Sequence, residues 1–326
     1  MKRTFLKVIG LALVAALAVA CGGTDDDDDQ TPGTIFELAE RSGEISALAL
    51  AARKAGLADA LNAPDSNLTV LAPSNDAFGR LAGQLGYSSI GDLIDALSAD
   101  QLQAILNYHL LPTAQTRAQL EAGGSSQPTL LVQGGNPVAL SVNLANNQVR
   151  FVDTVSRIAV VNLFDVPNDN GVLHVIDRVL IPAGVLTVLQ TVQANPERFA
   201  ALASVAGTPA LTETLNGDGP FTLFAPTNAA FLAAGNVLSP LTAEQLDTVI
   251  KYHVVGAALP SSAFALGTPV DTLAGQTFTI NAGSGSALAL IDDTTATDAR
   301  VTAVDIVASN GVVHVIDKVL IPTLTD

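Results

Sequence analysis

The residues of this chain best suited to chemistry are its four histidines, which form two pairs. His109 and His253 each follow a tyrosine, and His174 and His314 each lie in a Gly-Val-x-His-Val-Ile-Asp segment. Imidazole binds transition metals and transfers protons near neutral pH. A metal site or an acid–base site is therefore the first chemistry to consider for these pairs.

A metal site would need a further ligand beside the histidines. Asp177 lies three residues after His174, and Asp317 occupies the same place after His314. His109, His174 and Asp177 would together form a two-histidine, one-carboxylate site, and His253, His314 and Asp317 would form the same site in the second copy. Such a site requires segments far apart in the sequence to converge, and no spacing in the sequence shows that they do.

The apolar surroundings of the histidines favour a structural role instead. His109 and His253 each continue an apolar stripe with the i, i+3, i+4 and i+7 spacing of a helix. His174 and His314 each share a strand face with aliphatic residues. The helical stripes consist of Leu102, Ile105 and Leu106 in the first case and Leu246, Val249 and Ile250 in the second. Since a half-buried histidine needs a hydrogen-bond partner but no metal, we predict four structural core histidines, no metal and no cofactor.

Other features of the sequence exclude further classes. It has no Gly-x-Ser-x-Gly, His-Glu-x-x-His or Gly-x-x-x-x-Gly-Lys motif, so we predict that the protein is not an enzyme. Its 15 basic and 31 acidic residues give a net charge of −16. A nucleic-acid partner is excluded on this basis, because phosphate binding needs a basic face. A single cysteine among 326 residues cannot form an internal disulfide.

The histidines belong to a unit that occurs twice. The segment from Asn67 to Phe78 matches the one from Pro220 to Phe231, and each copy then contains the Tyr-His pair. The segment that begins at Asn170 matches the one that begins at Asn310 at 11 of 13 positions. The offset between copies falls from 153 to 140 residues, too long for a solenoid repeat. We therefore predict two tandem domains, 34–183 and 184–326, joined by a short, restricted link.

Each copy begins with helical patterns and ends with strand patterns. Thr34 and Glu37 can form a capping box for a first helix. A short strand is predicted at 68–71, before Ala72-Pro73, and Ser74 can cap the helix that follows it. A further helix is predicted from about 98 to 110. The last third alternates apolar and polar residues between Gly and Asn, as strands do. Helices followed by strands indicate an α+β domain rather than alternating βαβ units.

These motifs resemble the fasciclin (FAS1) domain family. The Thr-Val-Leu-Ala-Pro-Ser-Asn-Asp-Ala-Phe segment, the Tyr-His pair and the Asn-Gly-Val-Val-His-Val-Ile-Asp segment are its hallmarks, and they occur in order in both copies. The resemblance implies an α+β fold in which each domain is a β-sandwich wedge flanked by helices. It also implies a secreted or surface-anchored protein that mediates adhesion or extracellular protein interaction.

The first 20 residues are predicted to be a signal peptide. Basic residues precede an apolar run at 8–20, which is shorter than the roughly 20 residues that span a bilayer. The run ends in small residues before Cys21, in a pattern that resembles the bacterial lipoprotein signal, in which the cysteine is lipidated. An ordinary secretory signal followed by a chance cysteine is the alternative.

An acidic tether is predicted at 21–33. Its five consecutive aspartates, 25–29, repel one another and favour a solvated, disordered segment. A calcium-binding role is the alternative, but the run lacks the spaced ligands and turn glycine of a dedicated loop. We therefore expect this segment to hold the folded domains away from the membrane.

A partner contact is suggested by the segment before the last hallmark. Asp305 and Ile306 are similar to the Asp-Ile pair that animal fasciclin-domain matrix proteins present to cell-surface receptors, and Asp165 and Val166 are the counterparts. The alternative is that both aspartates only hydrogen-bond a turn.

The tyrosines of the Tyr-His pairs are further candidates for partner contact. The resemblance ties these pairs to receptor contact in animal members of the family. The helical stripes bury the histidines, which leaves Tyr108 and Tyr252 as the candidate surface groups.

Together these features predict a lipid-anchored protein of the bacterial cell envelope, at the outer membrane or cell surface. It would mediate adhesion or protein–protein contact with a surface or matrix protein of unknown identity, and it would contact the membrane through its lipid anchor only. The alternative is a carrier of an apolar small molecule, such as a lipid or pigment, with an enzyme as the third possibility.

Overall fold

The structure is a computed structural model and describes residues 33–283, 288–292 and 298–324. The predicted signal peptide at 1–20, Cys21 and all of the tether except Gly33 lie outside the described residues. Within the described ranges, every helix is too short or too polar to cross a bilayer.

The first domain places helices before and beneath one sheet. Its helices are α1 (Ile35–Arg41), α2 (Ser46–Lys54), α3 (Ala58–Asn62), α4 (Asn75–Gln84), α5 (Ile90–Ala96), α6 (Ala99–Tyr108) and α7 (Arg117–Ala122). Its strands are β1 (Leu68–Pro73), β2 (Leu110–Leu111), β3 (Ser126–Gln133), β4 (Asn136–Ala145), β5 (Gln148–Val152), β6 (Ile158–Val166) and β7 (Gly171–Ile176). The strand order is β2-β1-β7-β6-β5-β4-β3. Strands β1 and β7 are parallel, and the other pairs are antiparallel.

The second domain repeats this plan. Its helices are α8 (Val188–Gln193), α9 (Pro196–Ala206), α10 (Pro209–Asn216), α11 (Asn228–Leu238) and α12 (Ala243–Tyr252), with a 3-10 turn at Ser261–Ala263. Its strands are β8 (Phe221–Pro226), β9 (Val254–Val255), β10 (Pro269–Asp271), β11 (Thr277–Ala282), β12 (Leu288–Ile291), β13 (Ala299–Ala308) and β14 (Gly311–Ile316). The order β10-β11-β12-β13-β14-β8-β9 matches that of the first sheet, strand for strand. The predicted α+β class with flanking helices is confirmed.

Local signals in the sequence determine several helix starts. Thr34 and Glu37 form the predicted capping box, and the side chain of Ser74 accepts a hydrogen bond at the start of α4. The strand predicted at 68–71 continues through Pro73, which lies opposite Ile176. Strand β2 pairs only with the early part of β1, so the missing proline N–H interrupts no second ladder.

The sheet of each domain folds over on itself. Leu111 of β2 and Leu131 of β3 lie at opposite ends of the strand order, yet they belong to one buried cluster. Parallel pairing of β1 with β7 also needs close backbone approach. A Cβ atom at Gly171 would lie 2.3 Å from the Leu68 carbonyl oxygen, which explains the glycine of the repeated Asn-Gly motif.

The two domains are joined without a loose link. One buried apolar cluster contains residues of both. The N–H of Gly184 donates to the Val307 carbonyl at 2.9 Å, and Asn195 Nδ2 donates to the Val155 carbonyl at 3.2 Å. Gln133 Nε2 of the first domain also donates to the Ala183 carbonyl at 3.0 Å, so the segment between the copies is hydrogen-bonded to both domains.

Candidate functional site

The histidines of the two Tyr-His pairs connect helix ends to the last segment of their domains. Nδ1 of His109 lies 2.7 Å from the Ile105 carbonyl oxygen, and its Nε2 accepts from the Leu180 N–H at 2.9 Å. His253 makes the same two contacts in the second domain. Each ring is therefore a neutral imidazole protonated on Nδ1. Burial lowers the pKa of both histidines to about 4.

The other two histidines use the opposite tautomer. Nδ1 of His174 accepts the N–H of Asp165 at 3.1 Å, and its Nε2 lies 2.9 Å from the Gln115 carbonyl oxygen. His314 is bonded in the same way to the N–H of Asp305 and to a carbonyl oxygen. Burial holds the pKa of both rings below its usual range. These rings connect the strand bulges to the segment after the short strands β2 and β9.

These contacts do not fit the two-histidine, one-carboxylate alternative. Both ring nitrogens of His109 and of His174 already face backbone groups. A carboxylate oxygen of Asp177 accepts the Val160 N–H at 2.7 Å. Among residues 33–283, 288–292 and 298–324, no three His, Cys, Asp or Glu side chains are grouped so as to hold a metal ion.

Asp165 and Asp305 lie at matching bulges of β6 and β13. Their φ angles of 53° and 59° are left-handed, a conformation that Asp tolerates better than most residues. The carboxylate of Asp165 accepts the Arg117 N–H at 2.9 Å. That of Asp305 accepts the N–H of Ser261 at 2.8 Å and also its hydroxyl. Both side chains are exposed, so each carboxylate faces solvent while it holds the first residue of α7 or of the 3-10 turn.

Electrostatics at Asp305 follow from these bonds. Burial alone would raise the pKa of the carboxyl, but the two hydrogen bonds from Ser261 and the nearby His314 ring hold it below its usual range. The group therefore stays ionised at neutral pH and presents a fixed negative charge.

The residues after the two aspartates do not face solvent as predicted. Ile306 is buried, and Val166 is half-buried against the same apolar core. The bulge turns each aspartate outward, so the next residue of the strand points inward. The prediction that Ile306 contacts a partner is therefore wrong, whereas for Val166 it stays a prediction, since part of that side chain remains accessible.

The prediction of surface tyrosines is also wrong. Tyr108 is 0% exposed and Tyr252 is 2% exposed. The hydroxyl of Tyr252 donates to the Thr277 carbonyl at 2.7 Å, and burial raises the pKa of Tyr108. The end of α6 and that of α12 each lie between two apolar clusters, so the face next to the histidine stripe is buried as well.

Sequence reasoning missed the exposed apolar residues beside the aspartates. Val304 is 41% exposed and Val307 is 48% exposed on either side of Asp305. Leu163, two residues before Asp165, is 48% exposed. An unbroken strand would place Val304 and Val307 on opposite faces, so only recognition of the bulge could have identified this surface.

Comparison with known proteins identifies the repeated unit. A family model of the fasciclin domain matches residues 43–182 and again residues 197–322. Transforming growth factor-beta-induced protein ig-h3 of Sus scrofa is 30% identical over 293 residues, covering 89% of this chain and 38% of that protein. Protein sll1483 of Synechocystis sp. is 37% identical over 144 residues, covering 43% of this chain and 75% of that protein. The chain thus spans well under half the length of ig-h3.

One solved structure is similar over the whole pair of domains. It is a FAS1 domain pair from the insect cell adhesion molecule fasciclin I, with a TM-score of 0.40 and 17% identity, covering 89% of this chain and 96% of that one. The family model itself matches more than half of the present chain in two successive segments. The chain therefore belongs to the fasciclin domain family and contains two fasciclin domains in tandem.

Proposed function

We propose that this protein is a non-enzymatic, lipid-anchored protein of the bacterial cell envelope that binds a surface or matrix protein through its fasciclin domains. Fasciclin domains occur in cell adhesion proteins, and fasciclin I is named as one. The pattern at the end of the apolar run, with Cys21 directly after it, supports export and lipidation. The anchor would keep the chain at the outer membrane or cell surface.

The observation that carries the proposal is the surface around Asp305. The exposed residues Val304 and Val307 flank the fixed carboxylate of Asp305 in the sequence. Hydrogen bonds to Ser261 and His314 hold the backbone of this bulge in place. Protein interfaces combine buried apolar groups with polar groups that fix orientation, and a rigid surface loses little conformational entropy on binding.

The first domain offers a second, similar surface. There Leu163 and Asp165 occupy the bulge, and the guanidinium carbon of Arg117 lies 4.5 Å from the centre of the Phe164 ring. The two surfaces belong to one chain, joined by a short hydrogen-bonded link. A partner with matching spacing would gain avidity by engaging both.

Attachment of whole cells tests the binding surface. A bacterial host displaying the full chain should attach to a surface coated with envelope proteins of the producing bacterium. The triple variant Val304→Ser, Asp305→Asn, Val307→Ser should attach weakly while its melting temperature stays near that of the unsubstituted chain. Leu232→Ser, which alters an 83% exposed leucine on α11, is the matched control. Equal attachment by the triple variant, or equal loss by the control, would contradict the proposal.

Lipid anchoring is tested separately. Growth with an alkyne-tagged fatty acid should label the full chain, and Cys21→Ser should abolish the label and release the protein from the membrane fraction. An unlabelled, freely secreted chain would favour the ordinary secretory signal instead. A stoichiometric apolar ligand in an organic extract of the native protein would favour the carrier alternative.

A further inference from the structure

A cavity of about 370 Å³ lies where the two domains meet. Its lining includes Arg150 on β5, Arg157 between β5 and β6, and Arg178 just after β7. The start of α9 contributes Asn195 and Glu197 from the second domain. Three arginines thus line one partly open space outside the surface around Asp305.

Arg157 is buried with two of its nitrogen atoms unpaired. It is 3% exposed, and among the described residues its Nε and Nη1 atoms find no hydrogen-bond acceptor. Within the described part of the chain, no carboxylate oxygen lies within 4.0 Å of its guanidinium. Asp153 is the nearby negative charge, but its oxygens accept the backbone N–H groups of Val155, Arg157 and Ile181. Asp153 therefore offsets the charge of Arg157 without occupying its donors.

The two neighbouring arginines also have open donors. Nε of Arg150 and Nε of Arg178 are buried without an acceptor. Nη2 of Arg150 donates to the Gln148 side chain at 3.0 Å, and Nη2 of Arg178 donates to Glu197. Buried polar groups in folded proteins are normally paired, and unpaired N–H groups on three residues that line one cavity leave capacity for a further acceptor.

The position of Arg150 differs between the two domains. In the second sheet, Ala289 lies opposite Arg300 where the first sheet pairs Arg150 with Val160. The same strands form in the same order there, with the guanidinium on the opposite strand of the pair. An arginine at position 150 is therefore not needed for the pairing of these strands.

From this geometry we infer that the junction cavity binds a small oxyanion, a carboxylate or phosphate group, through the guanidinium groups of Arg150, Arg157 and Arg178. A guanidinium presents a planar fork of N–H donors that matches two oxygens of such a group. Asp177, Glu197 and the nearby Asp153 offset the three positive charges. The cavity would therefore choose among anions by the geometry of their hydrogen bonds more than by their net charge.

An occupant of this cavity would contact both domains. Arg157 and Arg178 belong to the first domain, whereas Asn195 and Glu197 belong to the second. Glu197 competes with an incoming anion for Arg178. Binding should consequently raise the thermal stability of the junction, and removal of the Glu197 charge should strengthen binding.

Calorimetry and thermal unfolding of the full chain test this site with inorganic phosphate and with succinate, against sodium chloride at equal ionic strength. At least one of the two anions should bind saturably and raise the melting temperature beyond the effect of chloride. Binding of phosphate alone or of succinate alone identifies the source of the oxyanion. Failure of both to exceed chloride would overturn the inference.

Variants separate this site from a general effect of charge. Arg157→Gln and Arg150→Gln should each weaken binding by about tenfold or more, as expected for loss of a charged hydrogen bond. Glu197→Gln should tighten binding, which a purely structural role of the cluster would not produce. Arg300→Gln, at an exposed arginine on β13, is the matched control. If Arg157→Gln does not fold, Arg150→Gln still decides, and unchanged affinity in it would contradict the assignment.

Discussion

The backbone N–H of Asp305 donates to Nδ1 of His314 at 3.2 Å. The carboxylate that faces solvent and the imidazole that is fully buried therefore belong to one unit, in which the ring supports the bulge from inside. The same relationship joins Asp165 to His174 at 3.1 Å. Histidine, the residue type that most suggested catalysis, thus has a structural role beneath the proposed contact surface.

Substitution of Asp305 should separate its structural bonds from its charge. Asp305→Ala removes the acceptor for Ser261 and leaves alanine at a φ of 59°, so we expect a loss of about 1–3 kcal/mol in the free energy of unfolding. Asp305→Asn keeps an acceptor and tolerates the left-handed backbone, and should lose less than half as much. Urea unfolding measures both, and equal losses would show that the carboxylate charge dominates.

His314→Phe should loosen the bulge from inside. It leaves the Asp305 N–H and the Leu259 carbonyl without their partner, at a cost of about 2–4 kcal/mol. Amide hydrogen exchange should accelerate at Asp305 in this variant. His174→Phe should have the matching effect at Asp165 and leave exchange at Asp305 unchanged. Unaltered exchange at Asp305 in His314→Phe would mean that the ring does not support the bulge.

Asn310→Asp should be among the most destabilising single-atom changes. The side chain of Asn310 accepts from the Val188 N–H at 2.9 Å and donates to the carbonyls of Leu215 and Gly217 at 2.8 and 2.7 Å. A buried carboxylate would face both carbonyls without a proton to donate, so we expect a loss of about 3 kcal/mol or more. Asn143→Asp, on an exposed position of β4, should change stability little. A similar effect of both in chemical unfolding would refute this explanation.

Acid should destabilise the chain through its two most buried histidines. The pKa of His109 and of His253 falls from 6.5 to about 4 on folding, so the unfolded state binds protons first as the pH drops. Their contribution is fully present above pH 6.5 and is lost as the pH falls toward 4, by about 3 kcal/mol for each ring. Burial raises the pKa of Asp153 to about 6, which favours the folded state as that carboxyl is protonated and offsets part of the loss.

The pH dependence can be measured by urea unfolding at pH 7.5, 5.5 and 4. His253→Gln should lower stability at pH 7.5 and flatten the decline between pH 6.5 and 4. An unchanged slope in this variant would show that His253 does not titrate with folding in that range.

Local and repeated features of the sequence predicted much of the fold. Two helix starts depend only on residues a few positions apart: the capping box of Thr34 and Glu37 and the cap at Ser74. Both partners of each interaction can therefore be read from a short stretch of sequence. The parallel pairing of β1 with β7 joins segments about a hundred residues apart. No local pattern contains that pairing.

The errors have equally specific causes. Tyr108 was expected at the surface because the apolar stripe of α6 shows only one buried face of the helix. The end of α6 packs against two apolar clusters, and Tyr108 lies in the second of them. Ile306 was expected at the surface because its segment resembles one that other fasciclin-domain proteins present to receptors, whereas here the residue after Asp305 in the bulge points into the core. Arg157 was not considered, since apart from its near neighbours the residues of its cavity come from three further segments of the chain.

The bonds of the inner histidines have a consequence for how this surface can vary. Nε2 of His174 lies 2.9 Å from the carbonyl oxygen of Gln115, and Nε2 of His314 lies 2.9 Å from that of Leu259. A polar residue, Gln115, and an apolar one, Leu259, thus provide the same hydrogen-bond acceptor, because only the backbone carbonyl takes part. Substitutions in the loops that the rings hold therefore leave these backbone hydrogen bonds in place. A domain of this kind can thus acquire a new binding specificity while its interior remains the same.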